Sequence, residues 1–194
     1  MRIAIVVFDG FDELDAIGPY EVFGHAARRG ADLEARLVTL ADVGEVVASG
    51  GLRIHPHGTL DGAPDLVLVP GGPGTVPEAQ EGDLPRAITR LHEGGTTVAT
   101  VCTGAMLAAA AGITAGRPAT THHAVLGALR ETGAEVVEAR VVDDGDLVSA
   151  GGVTCGIDLA LWLLEREFGA PLADAVAAEM EYVRSRPERR ARAS

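Results

Sequence analysis

The chain has 194 residues, of which 47% are hydrophobic and 23% are charged, and its formal net charge is −12. This length and composition indicate one well-cored globular domain, and the acidic balance disfavours binding to nucleic-acid phosphates or to anionic lipid. No apolar run is long enough to span a bilayer, and the N-terminus lacks a basic region followed by a cleavable apolar segment, so we expect a cytoplasmic protein.

The first half of the chain alternates apolar strands with amphipathic helices. Short aliphatic runs predict strands that are covered on both faces of a parallel sheet, and a 3.6-residue apolar period predicts helices. The predicted strands are residues 3–8, 36–40, two extended pieces within 46–54, and 66–69, and the predicted helices are 20–28 and 84–93. The turn at residues 70–74 is too rich in glycine to be helical.

The second half is organised around a strand that turns into a helix at a cysteine. Residues 97–101 are β-branched and apolar, and residues 103–110 are rich in alanine, so Cys102 is predicted at the elbow between them. The remaining predictions are a strand at 119–121, a helix at 122–132 capped by Thr120 or Thr121, strands at 136–142 and 147–150, and helices at 156–168 and 172–182.

The alternation predicts an α/β fold, a doubly wound and mostly parallel sheet sandwiched by helices, within a single domain of residues 1–183. The turn signal Asp144-Gly145 indicates a hairpin, which we interpret as a local addition. Residues 184–194 form an arginine-rich tail, expected to be a solvated terminus, with a partner or subunit contact as the alternative. Reactive groups gather where parallel strands end, which here means residues 9–15, 70–74 and Cys102.

Cys102 is the candidate nucleophile of this sheet edge. The first N–H groups of a helix have no intrahelical partner and carry its positive end, so they stabilise a thiolate and can hold a developing oxyanion. The sequence therefore predicts that the pKa of the Cys102 thiol is lowered into the range of roughly 3.5 to 7.5. The alternative is a buried structural cysteine. Cys155 is expected to be packed in the core, with a second reactive thiol as its alternative, and both cysteines are expected to be reduced.

The candidate proton-transfer group is Asp15, because it lies in an otherwise apolar passage where a carboxyl group needs a partner. A helix cap ahead of Pro19 is the alternative, and the two roles can coexist. His122 is a further candidate partner of the cysteine, against a structural role at a helix start. No group of His, Cys and carboxylate residues has the spacing of metal ligands, so no metal site is expected.

The candidate oxyanion donors come from the glycine-rich turn and from the start of the cysteine helix. Gly71 and Gly72 lack a Cβ, so their backbone can approach a substrate closely. We predict that the amides of Gly72 and Thr103 hold the developing charge. A plain tight turn is the alternative for the two glycines.

The complete set of motifs resembles the DJ-1/PfpI superfamily, which has a flavodoxin-like fold of the class I glutamine amidotransferase type, and it covers the chain to about Tyr182. Within that superfamily the sequence is most similar to the isocyanide hydratases. The motifs that carry the resemblance are residues 14–19 (LDAIGP), 46–52 (VVASGGL), 70–72 (PGG), 101–104 (VCTG), 119–122 (ATTH) and 151–158 (GGVTCGID).

The resemblance implies that Cys102 is the nucleophile, that Asp15 is the acid hydrogen-bonded to it, and that the amides of Gly72 and Thr103 surround the reacting atom. Gly71 and His122 join this set as substrate-binding candidates. The implied protein is a homodimer that acts on a small molecule without a cofactor, hydrating isocyanides to N-substituted formamides through a Cys102 thioimidate. The alternatives are glyoxalase-like or deglycase-like chemistry at the same cysteine, and a non-catalytic redox-sensing or ligand-sensing stress protein.

Three positions depart from patterns common in this superfamily. Thr103 stands where peptidase-like and many glyoxalase-like members carry histidine, which disfavours both activities. His123 stands where the hydratase-like pattern has tryptophan, and Cys155 where alanine is common. The ligand-sensing domains of AraC-type regulators carry similar motifs, but they are followed by a DNA-binding module, so the arginine-rich tail here disfavours a regulator.

Overall fold

The computed structural model describes residues 1–185 and 188–189 and shows one central sheet between two layers of helices. The strands are Arg2–Val6 (β1), Glu34–Val38 (β2), Val46–Val47 (β3), Arg53–Ile54 (β4), Leu66–Val69 (β5), Thr97–Val101 (β6), Pro118–Ala119 (β7), Glu135–Val136 (β8), Val141–Asp143 (β9), Leu147–Ala150 (β10) and Glu188–Arg189 (β11). The helices are Glu13–Arg28 (α1), Thr75–Gln80 (α2), Leu84–Glu93 (α3), Gly104–Ala110 (α4), Leu126–Glu131 (α5), Cys155–Phe168 (α6) and Ala170–Glu179 (α7), with a 3-10 turn at His123–Val125.

The sheet has seven strands in the order β11-β9-β10-β6-β5-β1-β2, and every neighbouring pair is parallel except β9 and β10. This confirms the predicted doubly wound, mostly parallel fold. On one face α1 packs against α6 and α7, and on the other α4 packs against α2 and α3. The strands β5 and β10 are buried along their whole length, as strands covered on both faces must be.

The interpretation of the hairpin around Asp144 as a local addition is wrong. The strand β10 pairs in parallel with β6, and β9 lies antiparallel on its outer side. The turn signal predicted the hairpin correctly, but it carried no information on whether β10 also pairs with a strand of the main sheet. Because β10 is parallel to β6, the loop after β10 begins at the sheet edge where Cys102 lies.

Two predicted helix starts are also wrong. The first helix begins at Glu13 rather than at residue 20, because the side chain of Asp12 accepts the N–H of Leu14 at 3.2 Å and Pro19 is accommodated inside the helix. The predicted helix 122–132 is a 3-10 turn followed by α5. Its cap is His122, whose Nδ1 accepts the N–H of Ala124 at 3.3 Å. The helix α2 was not predicted.

The beginning of the arginine-rich tail lies on the domain rather than in solvent. Arg184 forms ion pairs with Glu165 and Asp174, and the N–H of Ser185 donates to Asp158 Oδ1 at 2.7 Å. The tail prediction for residues 186–187 and 190–194 lies outside the described residues. Across the part of the chain that is described, no helix combines the length and the apolarity needed to cross a bilayer.

Candidate active site

Cys102 lies at the predicted elbow, between β6 and the first residue of α4. Its φ of 57° is in the left-handed region, which costs a non-glycine residue on the order of 1–3 kcal/mol unless its surroundings hold it there. Its N–H donates to the carbonyl of Gly151 at 2.8 Å, and its own carbonyl accepts the hydroxyl of Thr121 at 2.8 Å. The residue is buried, with 6% of its surface exposed.

Asp15 approaches this elbow from the first turn of α1 and has no exposed surface. The N–H of Gly71 donates to its Oδ2 at 2.9 Å. Its Oδ1 is buried and makes no hydrogen bond of ordinary geometry with any described residue, although the Cys102 thiol interacts closely enough with the carboxyl group to perturb its pKa. One oxygen is therefore fixed, and the other remains available to a proton.

The glycine-rich turn lies directly against the elbow. A Cβ on Gly71 would be 2.5 Å from the N of Thr103 and 2.8 Å from the Cβ of Cys102, so only glycine fits there. The amides of both candidate glycines are already engaged: that of Gly71 by Asp15, and that of Gly72 by Thr103 Oγ1 at 2.9 Å. The amide of Gly72 therefore faces the Thr103 hydroxyl in this structure rather than an open oxyanion position.

The pKa prediction for Cys102 is wrong in direction. Burial raises the pKa of the thiol to about 11, and the charges of Asp15 and Asp12 act in the same sense. The N–H groups of Thr103 and Val153 favour the thiolate but do not outweigh those effects. Sequence reasoning counted the helix start and missed both the desolvation and the carboxyl groups around the sulfur.

Burial likewise raises the pKa of Asp15 to about 7, and the charge of Asp12 adds to the effect, while hydrogen bonds from Gly71 and the Cys102 thiol oppose it. A negative charge on either group disfavours a negative charge on the other, so the two titrate as a coupled unit. Near neutral pH the resting pair is a thiol beside a carboxyl group that is close to half-ionised. Such a carboxyl group can both accept and donate a proton.

Two residues that hold Cys102 were missed in the sequence. Val153, with a φ of 40°, directs its N–H at the sulfur, and Thr121 binds the carbonyl of Cys102 instead of capping a helix. Val153 follows β10, so assigning that strand to the main sheet would have placed its loop at the reactive edge. The glycine pair Gly151-Gly152 before a helix was the available signal.

A family model described as the DJ-1/PfpI family matches residues 1–166. The chain belongs to the DJ-1/PfpI family. It is 35% identical over 189 residues to the isonitrile hydratase of Pseudomonas putida, covering 96% of this chain and 81% of that protein. It is 30% identical over 186 residues to the HTH-type transcriptional regulator CdhR of Pseudomonas aeruginosa, covering 94% of this chain but 55% of the regulator. A solved ThiJ/PfpI family structure from Pseudomonas syringae has a TM-score of 0.86 at 27% identity, covering 96% of this chain and 77% of that one.

Within this DJ-1/PfpI domain, His122 is not brought into the cysteine–carboxyl pair. Its ring lies against Gly152 and is tilted by 37° to the ring of His123, with ring centroids 4.2 Å apart. Among the described residues it makes no hydrogen bond to Cys102 or Asp15. Cys155 is buried, and both cysteines are free, as predicted. No group of three His, Cys, Asp or Glu side chains within the described residues is arranged to hold a metal ion.

Proposed function

We propose that this protein hydrates isocyanides, also called isonitriles, to N-substituted formamides, with Cys102 as nucleophile and Asp15 as acid and base. The observation that carries the proposal is the buried Asp15, held at one oxygen by Gly71 and open at the other, beside the Cys102 thiol. The similarity to an isonitrile hydratase over 96% of the chain supports the substrate class.

The first half of the reaction adds the thiol across the terminal carbon of the isocyanide. The ionised Asp15 takes the thiol proton, and the Cys102 sulfur attacks the terminal carbon to form a new S–C bond. Asp15 then gives that proton to the same carbon, which leaves a thioimidate, Cys–S–CH=N–R, and an ionised Asp15. The N–H groups of Thr103 and Val153 stabilise the sulfur while it carries negative charge.

The second half returns the sulfur and releases the product. Asp15 takes a proton from a water molecule while the water oxygen adds to the thioimidate carbon. Asp15 then passes that proton to the nitrogen. It then takes the remaining hydroxyl proton and gives it to sulfur as the C–S bond breaks and the C=O bond forms. The balance is one isocyanide and one water consumed for each formamide released, with the thiol and the carboxylate restored.

The shape of this substrate class suits a buried nucleophile. An isocyanide ends in a single carbon at the tip of a linear C–N–C unit, so its reacting atom needs little room beside Cys102, which is 6% exposed. The substrate is neutral, and so it does not have to overcome the repulsion that Asp12 and Asp15 present to an anion.

The test is to incubate the purified protein with cyclohexyl isocyanide and with an aromatic isocyanide, and to measure the formamide by mass spectrometry. We expect turnover with the native chain and none with Cys102→Ser. Absence of formamide from both substrates, with Cys102 shown to be reduced by thiol titration, would refute the proposal.

A ligand-sensing role is the second candidate, and the similarity to CdhR over 94% of this chain favours it. A sensor would bind its ligand without consuming it, so calorimetry would detect binding while the small molecule is recovered unchanged. Peroxide sensing is the weaker form of this candidate, because the raised pKa of Cys102 keeps it as a thiol, which oxidises slowly. Lactate or glycolate formed from methylglyoxal or glyoxal would indicate glyoxalase-like chemistry instead.

A further inference from the structure

Thr121 is a buried threonine whose hydroxyl binds the backbone next to the nucleophile, and the steps above give this hydroxyl no part. It lies two residues after β7 and is 2% exposed. Its Oγ1 donates to the carbonyl of Cys102 at 2.8 Å. The N–H of Ala105 is also directed at that carbonyl, but its distance of 3.5 Å is beyond the usual range of about 2.7–3.2 Å. The Thr121 hydroxyl is therefore the stronger of the two donors.

The carbonyl that Thr121 binds belongs to the same peptide unit as the N–H of Thr103. A trans peptide unit is planar, and its C=O and N–H bonds point in opposite directions. The described chain contains no cis peptide bond, so this unit is trans. A hydrogen bond that fixes the C=O on one side therefore also fixes the direction of the N–H on the other. Linked hydrogen bonds polarise one another, so the bond to the carbonyl also makes the N–H a better donor.

The N–H of Thr103 is directed at the nucleophile. Among the described residues it donates to no backbone oxygen. A Cβ placed on Gly71 would be 2.5 Å from the N of Thr103 and 2.8 Å from the Cβ of Cys102, so the amide and the cysteine side chain border the same small space. This N–H is one of the two that favour the thiolate form of Cys102. It is therefore placed to stabilise negative charge during the reaction.

The other backbone hydrogen bonds at the elbow act on the neighbouring peptide units. The N–H of Cys102 donates to the carbonyl of Gly151 at 2.8 Å, which holds the unit before Cys102. The carbonyl of Thr103 accepts the N–H of Met106 at 2.9 Å, which holds the unit after Thr103. The unit between them follows a residue with a φ of 57°, outside helical geometry, and its short hydrogen bond is the one from Thr121.

We propose that Thr121 is a positioning residue: by binding the Cys102 carbonyl, its hydroxyl directs the N–H of Thr103 at the atoms that carry negative charge when Cys102 reacts. The proposal rests on the proposed function only in taking Cys102 as the nucleophile. The effect of Thr121 passes through the peptide unit that joins Cys102 to Thr103.

The neighbouring residue Thr120 provides a matched control. It is 1% exposed, and its Oγ1 donates to the carbonyl of Ala139 at 3.2 Å, so it is an equally buried hydroxyl bound to a different carbonyl. Thr121→Val and Thr120→Val each remove one such hydroxyl at similar volume, so both should lower the urea midpoint. Thr121→Ser keeps the hydroxyl. Thr121→Ala is measured alongside, so that the test does not depend on the folding of Thr121→Val.

The first test uses an isocyanide as substrate. We expect Thr121→Val and Thr121→Ala to lower kcat about tenfold and to change KM less than about twofold, because a misdirected N–H matters most when charge develops. Thr121→Ser and Thr120→Val should keep kcat within about twofold of the native chain.

The second test does not depend on isocyanide hydration. Iodoacetamide alkylates a cysteine with formation of an S–C bond and loss of iodide and of the thiol proton, and its rate follows the thiolate fraction. At pH 8 we expect Thr121→Val to slow alkylation of Cys102 about fivefold, measured by peptide mass spectrometry, and Thr121→Ser and Thr120→Val to stay within about twofold of the native chain. A change that only loosened the packing would expose the sulfur and speed its alkylation.

The outcomes separate the two proposals. A native chain whose Cys102 is alkylated but which makes no formamide removes the proposed function, and the alkylation rates then decide the role of Thr121. Unchanged or faster alkylation in the folded Thr121→Val and Thr121→Ala variants would overturn the inference. Equal slowing in Thr120→Val, or a Thr121→Ser variant as slow as Thr121→Val, would overturn it as well.

Discussion

The two cysteines of this protein occupy comparable positions in the fold and have different neighbours. Each is 6% exposed, and burial raises the pKa of each thiol. Each lies where a helix follows a strand of the central sheet: Cys102 is two residues before α4, and Cys155 is the first residue of α6. Cys102 is held at a φ of 57° and faces the carboxyl group of Asp15. Cys155 is the first residue of α6, and the preceding residue, Thr154, has a φ of −67°, which is typical of a helix start.

The difference shows that burial at a helix start does not by itself make a nucleophile. The charges that affect the pKa of Cys155 most are those of Arg140 and Asp158, followed by that of Asp15. Arg140 and Asp158 are paired with each other, with Arg140 Nε donating to Asp158 Oδ2 at 2.7 Å. The carboxyl group beside Cys102 has one oxygen that accepts no hydrogen bond of ordinary geometry from the described residues, and its pKa is raised to about 7. A nearby proton acceptor that changes its ionisation near neutral pH is what distinguishes the two thiols.

The largest expected effect separates the cysteines directly. Cys102→Ser should lower kcat/KM for an isocyanide at least about 10³-fold, because the weaker nucleophile cannot form the covalent intermediate, whereas Cys155→Ser should stay within about threefold of the native chain. Both variants are measured by formamide production under the same conditions. Comparable losses in both would remove the distinction between the two sites.

The second-largest expected effect comes from replacing Asp15, the proton acceptor beside Cys102. Asp15→Asn keeps an oxygen for the Gly71 N–H but removes the group that moves protons, so kcat should fall about 10²- to 10⁴-fold. Circular dichroism and thermal melting check that the variant is folded. Asp158→Asn, at the equally buried acid beside Cys155, should reduce stability and leave kcat of the folded fraction within about threefold. An Asp15→Asn variant with native kcat would contradict the proposed acid–base role.

The sequence predicted the part of the site that follows from where parallel strands end. The prediction assigned Asp15, Gly71, Gly72 and Cys102 to that edge and placed Thr103 at the start of the helix that follows, and the fold brings all five together. The contribution of the loop after β10 was missed, because the burial of that strand is equally compatible with a peripheral hairpin. The direction of the pKa shift at the sulfur was also unpredictable, since it depends on how much water and how many carboxyl groups surround it after folding.

Packing behind the two cysteines gives a stability comparison. A Cβ on Gly104 would collide with the carbonyl oxygen of Val69, whereas a Cβ on Gly156 would lie 3.3 Å from side-chain carbons of Pro19 and Val101, which can adjust. We expect Gly104→Ala to lower the free energy of unfolding by about 3 kcal/mol and Gly156→Ala to change it by less than about 1 kcal/mol. Urea denaturation of both variants measures this. Equal losses would show that the space behind the elbow is no tighter than that behind Cys155.

The pH dependence of stability tests Asp15 without an activity assay. The pKa of Asp15 rises from 3.8 to about 7 on folding, so the folded state binds the carboxyl proton more tightly than the unfolded state does. The contribution of this proton to the free energy of unfolding is complete below pH 4 and is lost as the pH rises through 7. Asparagine does not titrate, so Asp15→Asn should exceed the native chain in unfolding free energy by on the order of 3 kcal/mol at pH 8, with a smaller difference at pH 5. If the difference in unfolding free energy between Asp15→Asn and the native chain were the same at pH 5 and pH 8, Asp15 would not titrate in this pH range.

The smallest expected effect comes from Asp12, whose charge raises the pKa of Asp15. If Asp15 must be ionised to take the thiol proton, kcat/KM rises with pH through a value near 7, and Asp12→Asn should move this rise to lower pH by less than one pH unit. Asparagine can still cap α1, so the helix start is preserved. Asp9→Asn is the matched control, because that acid lies in the same loop, accepts the N–H of Val47, and is not among the charges that perturb Asp15. A rise that stays fixed in Asp12→Asn, or moves as far in Asp9→Asn, would assign the titration to a group other than Asp15.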